Sequence, residues 1–193
     1  MNFVSSLPSR KDALDTLRGA GCSEHVVKHS ILVAKIAVEI ASSVNPGNDL
    51  DLRVVEVGAL LHDIGRSVTH GVEHGSVGAA ILERLGYPSP VVSIVRNHVG
   101  AGIPQEEAVA LGLPPINHIP TTIEEKVVCY ADKLVSRNAR VSFEETLKAL
   151  AETLGPDHPA MARLQRLHQE IMKLTGGADG GISPPRKDSR RKR

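Results

Sequence analysis

Val54 to Leu61 reads Val-Val-Glu-Val-Gly-Ala-Leu-Leu, the most apolar stretch of the chain, and His62-Asp63 follows it directly. A helix that is apolar nearly all round must lie at the centre of a domain, with other helices wrapped about it. Asp49 or Asp51 can cap its start, and Ile64-Gly65 ends it. An imidazole and a carboxylate at the end of such a helix are costly to bury unless they are paired, hydrogen-bonded or bound to a metal. Any fold of this chain must therefore bring polar partners to that point.

The punctuation of the remaining sequence predicts helices throughout. Ser9 caps a helix to about Arg18, stopped by Gly19 and Gly21, and Ser23 opens another from Glu24 to about Val44. In the latter, Val26, Val33, Ile36, Ala37 and Ile40 recur at the three- and four-residue spacing of one buried stripe. Helices are expected from His74 to Leu85 and from Pro88 to His98. Residues 99–120, rich in Gly and Pro, read as an irregular excursion with a turn or two of helix around Glu106–Ala110. Thr122-Ile-Glu-Glu125 and Ser142-Phe-Glu-Glu145 have the spacing of capping boxes and open helices to about Arg137 and Leu154. Asp157 starts a last helix that ends near Leu174.

The expectation is one all-α domain of seven to eight helices over residues 1–175, with a basic tail over 176–193. Trp is absent, and two Tyr and two Phe are the whole aromatic complement, so aliphatic side chains must fill the core. The formal net charge is +1, which excludes an overall nucleic-acid or membrane-surface field. The tail carries six basic and two acidic residues, and its Gly/Pro-rich start predicts disorder. Contact with nucleic acid is expected only through that tail. Cys22 and Cys129 are far apart, without a metal-knuckle spacing, which fits a reducing cytoplasm. No stretch approaches the roughly 18 apolar residues of a membrane span.

Histidine and aspartate recur in the order His29, His62-Asp63, His74, His98, Asp132, each on a predicted helix or at its edge. With Gly58-Ala-Leu-Leu61 before the pair, Ile64-Gly65-Arg66 after it, Val33-Ala34 after His29, and Asp132 within Val127–Leu134, the chain resembles the HD superfamily of metal-dependent phosphohydrolases over roughly residues 22–137. The resemblance implies an HD-type helical fold with metal ligands at His29, His62, Asp63 and Asp132. His74 in His-Gly-Ser-Val-Gly and His98 in Val-Arg-Asn-His match two further histidines that hold a second ion in some HD families, with Asp63 then bridging both. His25, one turn before His29, competes for the upstream role.

Mixed imidazole and carboxylate ligands suit one or two ions of Fe, Mn, Co, Ni or Zn, and the set lacks the thiolates of a structural zinc site. Asp63 and Arg66 are the expected catalytic residues, with Arg66 able to grip a phosphate. His70, Asn97 and Lys133 are candidate substrate contacts beside it, for which a surface loop or solvated helix face is the alternative. Cys129 reads as core, and His118, His158 and His168 as surface.

A narrower resemblance, carried by His98-Val-Gly-Ala-Gly-Ile103, Leu111-Gly-Leu-Pro114 and Thr122-Ile-Glu-Glu-Lys126, is to small archaeal HD proteins. One archaeal HD enzyme of similar size opens a 2′,3′-cyclic phosphate on a pterin precursor. The implied activity is hydrolysis of a phosphomonoester or phosphodiester in a nucleotide-like small molecule, a 2′,3′-cyclic phosphate being the specific case. The alternatives are a single-metal nucleoside monophosphate phosphatase and a non-catalytic nucleotide- or RNA-binding module. Residues 99–120, directly after His98, are expected to decide the substrate.

Overall fold

The structure, a computed structural model, describes residues 7–177. Its helices are α1 (Arg10–Gly19), α2 (Glu24–Ser42), α3 (Leu52–Leu61), α4 (His74–Arg84), α5 (Ser89–Asn97), α6 (Gln105–Ala110), α7 (Ile123–Lys133), α8 (Phe143–Leu154) and α9 (Pro159–Leu174). A 3-10 turn over Ile64–Ser67 follows α3, and a short antiparallel hairpin, β1 (Val135–Ser136) with β2 (Ala139–Arg140), separates α7 from α8. The helical HD-type architecture expected from the sequence is observed, with nine helices among the described residues where seven to eight were expected, and with one small hairpin added. The basic tail lies outside the described residues from 178 onward.

The caps explain most of the boundaries. Ser9 and Asp12 form a reciprocal capping box on α1, Asp51 accepts from the amides of Arg53 and Val54 on α3, and Ser142 pairs with Glu145 on α8. The box expected at Thr122 is half formed. Thr122 accepts from the Glu125 amide, but the Glu125 carboxylate turns back to the Thr121 amide at 2.8 Å. The last helix is capped by His158 rather than Asp157, its ring accepting from the Ala160 amide.

One departure matters for the site. The α7 helix stops at Lys133 instead of near Arg137, because residues 135–140 fold back as the hairpin. Both turn residues, Arg137 and Asn138, have positive φ, as a two-residue type I′ turn requires. Asn138 Nδ2 lies 3.0 Å from His25 Nδ1, so the hairpin tip rests on the start of α2.

At the centre, α2 packs chiefly on α3 and α7, and α3 also meets α5 and α1. The core is aliphatic: Val33, Ile36, Ile40, Leu60, Leu61, Ile64, Ile94 and Leu134 are all essentially inaccessible. Burying each such side chain contributes about 1.5–3 kcal/mol. The α3 helix is buried from Val57 to Leu61, as its all-round apolar sequence demands. Residues 99–120 carry a small core of their own, Ile103, Ala108 and Leu113, closed by a two-way backbone pairing of Ile103 with His118.

Candidate metal centre

Four helix ends converge on the second turn of α2. His62 and Asp63 leave α3, His74 opens α4, His98 follows α5, and Asp132 ends α7 beside His29 in the second turn of α2. Close backbone approach makes this possible. A Cβ on Gly65 would lie 2.0 Å from the His74 carbonyl oxygen, and one on Gly78 would lie 2.8 Å from Val95 Cγ1. Only glycine lets α4 sit against the turn after Asp63 and against α5.

The two oxygens of Asp63 face different histidines. Oδ2 lies 3.8 Å from His29 Nε2 and 3.7 Å from His62 Nε2, while Oδ1 lies 3.3 Å from His74 Nε2 and 3.6 Å from His98 Nε2. Asp132 completes the first group, its Oδ1 being 3.0 Å from His29 Nε2 and 3.5 Å from His62 Nε2. The ligand atoms of His29, His62 and Asp132 all fall within 4.8 Å of one another, as do those of His62, Asp63 and His98.

Three of the rings are fixed from behind. Nδ1 of His62, His74 and His98 lies 2.7, 2.7 and 2.8 Å from the carbonyl oxygens of Ala59, Gly71 and Val95. A carbonyl only accepts, so each Nδ1 carries a hydrogen and each Nε2 is left to face Asp63, as a donor when the ring is protonated and as a lone pair for a metal when it is not. This is how protein-held imidazoles are oriented toward a metal. His62 Nε2 is fully buried without a hydrogen-bond partner. An orphaned acceptor of this kind, among carboxylates and further imidazoles, fits a divalent transition metal.

The electrostatics agree. Burial alone would raise the Asp63 carboxyl, but the imidazoles of His62, His74 and His98 hold it far below the ordinary carboxylate range. Asp132 is also held well below that range against its burial, by Lys133 and then by His29 and His62. Burial drives His98 down to about 4, with His62 and His74 adding to the effect. Opposing its burial, Asp63 and Asp132 raise His62.

A profile of the HD domain matches residues 26–137. The chain belongs to the HD-domain superfamily of metal-dependent phosphohydrolases. It is 46% identical over 154 residues to an uncharacterized protein of Methanocaldococcus jannaschii, covering 79% of this chain and 91% of that one. It is 40% identical over 173 residues to a tRNA (cytidine(56)-2′-O)-methyltransferase of Thermoplasma volcanium, covering 90% of this chain and 49% of the methyltransferase. This HD chain thus spans about half the length of that relative. Its fold is similar to the HD domain of the Listeria monocytogenes phosphodiesterase PgpH, solved with cyclic-di-AMP, with a TM-score of 0.51, 14% identity, and 91% and 99% of the two chains covered.

A cleft of about 740 Å³ opens on the HD centre from one side. His29, Asp63 and Asp132 form its inner end, and Arg66, His70 and Lys133 line it beside them. Arg66 Nε is 2.7 Å from Asp63 Oδ1, and Lys133 Nζ is 2.6 Å from Asp132 Oδ2. Asn97 does not line the cleft; its Nδ2 donates to Glu125 Oε2 at 3.2 Å. His25 lines the rim without joining the ligand cluster.

Residues 99–120, expected to shape the substrate site, contribute nothing to this cleft. Ile103, Ala108 and Leu113 pack in a small core of the segment's own, and Ala101 joins the main core. The opposite wall comes from the hairpin and α8, where the sequence predicts helix to about Arg137 and again from Ser142. The amphipathic pattern of α8 was visible, but nothing in it distinguishes a cleft wall from a packing face.

Other expectations need correction. His118 is buried rather than on the surface, its ring Nε2 lying 3.2 Å from the Pro114 carbonyl. His168 is half-buried, 2.7 Å from the Tyr130 hydroxyl and stacked on Phe143 at 3.8 Å. Cys129 is core as expected, and its burial pushes the thiol up to about 12.

Proposed function

We propose that the chain hydrolyses a phosphodiester or phosphomonoester of a nucleotide-like molecule with water, using a two-ion centre, and that a 2′,3′-cyclic phosphate is the substrate to test first. The supporting observation is the division of Asp63, with one carboxylate oxygen directed to His29 and His62 and the other to His74 and His98. His29, His62 and Asp132 would hold one ion, and His74 and His98 the other, with Asp63 shared. Divalent ions of the Fe, Mn, Co, Ni or Zn type supply Lewis acidity and bring the pKa of water toward ~7.

The residues of the chain do the rest. Arg66 and Lys133 place two cations where the cleft meets the carboxylates, so a phosphate entering there is held against them. Asp63 and Asp132 stay ionised at neutral pH and can take part as ligands without losing a proton first. His74 and His98 do not line the cleft, so substrate meets the His29 and Asp132 side of the centre.

RNA is a second substrate class, favoured by the tRNA methyltransferase whose length this chain half spans. A cyclic phosphate at an RNA end presents the same five-membered diester as the small molecule. Buried, unpaired Cys22 and Cys129 suit a reducing compartment. Among the described residues, no helix is long and apolar enough to cross a membrane.

The test is a screen of the purified chain with Mn, Fe(II), Co and Ni against 2′,3′-cyclic nucleotides, mononucleotides, cyclic dinucleotides and short RNAs ending in a cyclic phosphate. Turnover that is lost in both His62→Ala and Asp63→Ala supports the reading. Unchanged turnover in those variants overturns it. One bound ion per chain together with mononucleotide cleavage would favour the single-metal phosphatase instead.

A further inference from the structure

Resting on that reading, we infer that α8 is the substrate-reading element: the nucleoside of the substrate lies on the α8 face of the cleft while its phosphate meets Arg66 and Lys133.

The cleft is chemically two-sided. Its inner end holds the carboxylates with both cations. Its outer wall presents two adjacent i, i+4 rows of α8, Glu145-Ala149-Thr153 and Thr146-Leu150-Leu154. Val135 and Val141 continue the aliphatic surface from the hairpin. At about 740 Å³ the space lies within the roughly 300–1,000 Å³ of small-ligand sites, so a phosphate at the inner end leaves most of it for an organic group.

The wall is built to hold a position. Phe143 anchors the start of α8 by stacking on His168, and the Thr146 hydroxyl donates to the Lys133 carbonyl. The helix is thus tied to the residue next to Asp132. Midway along the wall, Ala149 stands exposed between Glu145 and Thr153 and is the smallest side chain of its row. The polar groups on either side of it have partners of their own: Glu145 accepts from the Ser142 amide at 2.8 Å, and Thr153 donates to the Ala149 carbonyl at 2.9 Å. No Phe or Tyr side chain lines the cleft; the rings it holds are the imidazoles of His25, His29 and His70, none of them on α8. A flat heterocycle on aliphatic carbon, with few polar groups to read its edge, is recognised by shape rather than by base identity.

The experiment uses the full chain loaded with Mn, with 2′,3′-cyclic AMP and 2′,3′-cyclic CMP as nucleoside probes and ethylene phosphate as the same cyclic diester without a nucleoside. Ala149→Trp should raise KM for both nucleotides at least about tenfold. Bound Mn per chain and kcat/KM for ethylene phosphate should stay unchanged. Leu154→Glu, at a half-exposed site, should act in the same direction and guards against one variant misfolding. Equal losses on all three substrates, or no change on any, would overturn the role of α8. If the wild-type chain hydrolyses none of them, the proposed activity fails, and calorimetric binding of 2′,3′-cyclic AMP with Mn present still decides this inference. Binding weakened by Ala149→Trp supports it. Binding indifferent to that change, or absent in the wild type, overturns it.

Discussion

His74 and His98 face each other through Nε2 at 3.0 Å, although each already has its Nδ1 hydrogen committed to a backbone carbonyl. Two neutral rings in that state oppose lone pair to lone pair, an arrangement that a cation between them relieves. Removing either ring should therefore cost one ion. Metal analysis of the loaded protein should give about two ions per chain, falling to about one in His98→Ala or His74→Ala. Asp63→Ala should lose both, because its two oxygens serve both groups. An unchanged metal count in His98→Ala would exclude a second ion at this place.

The site depends equally on a residue without a side chain. A methyl on Gly65 would stand 2.0 Å from the His74 carbonyl oxygen and 2.8 Å from the Gly78 amide nitrogen, both backbone atoms. Neither can rotate away, so α4 must shift. Gly65→Ala should destabilise the fold by about 1–3 kcal/mol or more, the range for overpacking a core. It should also weaken the ion beside His74 before the one beside His29, because α4 carries only the former. Denaturant unfolding with metal titration checks both parts.

Much of this centre was legible in the chain. His62-Asp63 followed an apolar run that can only be a central helix, and the ordered His29, His74, His98 and Asp132 came from helices that must pack around it. Helix boundaries were legible where a cap announced them, as at Ser9, Asp51 and Ser142. The end of α7 was not, because Arg137-Asn138 lacks the glycine that usually marks a type I′ turn. That turn brings Val135 and Val141 to the cleft, where a helix running on to Arg137 would not have placed them. Residues 99–120 read as a shaped loop on their glycine and proline content, and the structure shows that shape pinned by the pairing of Ile103 with His118 and turned away from this cleft.

Acid should unfold the metal-free protein in a defined window. His98 titrates near 4 in the fold and near 6.5 when exposed, so the unfolded chain binds the proton first. The His98 contribution should be full above pH 6.5 and decline as the pH falls toward 4, by on the order of 3 kcal/mol. His62 is raised rather than lowered, so its contribution is already complete below 6.5 and does not alter the slope in this window. The depressed Asp63 and Asp132 add a further loss only below the ordinary carboxylate value of 3.8. Urea unfolding between pH 7 and 4 checks this, and His98→Gln should flatten the dependence.

Arg66 offers a test that separates its two expected roles. Its Nε is 2.7 Å from Asp63 Oδ1, the oxygen that also faces His74 and His98, so without metal it is the permanent cation on that buried carboxylate. Arg66→Met leaves Asp63 less compensated and should destabilise the metal-free fold by about 1–3 kcal/mol, below the range for fully buried pairs because Arg66 is partly exposed to the cleft. Metal should restore much of that loss, because an ion at His74 and His98 supplies the missing positive charge. The rise in Tm on adding Mn should therefore be larger in Arg66→Met than in the wild type. Substrate is a different matter, since an ion cannot replace a phosphate contact. KM should stay raised by about 10- to 100-fold in the loaded variant, the equivalent of one charge-assisted hydrogen bond. An equal Mn-induced shift in both proteins would show that Arg66 does not stand in for the ion, and an unchanged KM would remove it from the phosphate site.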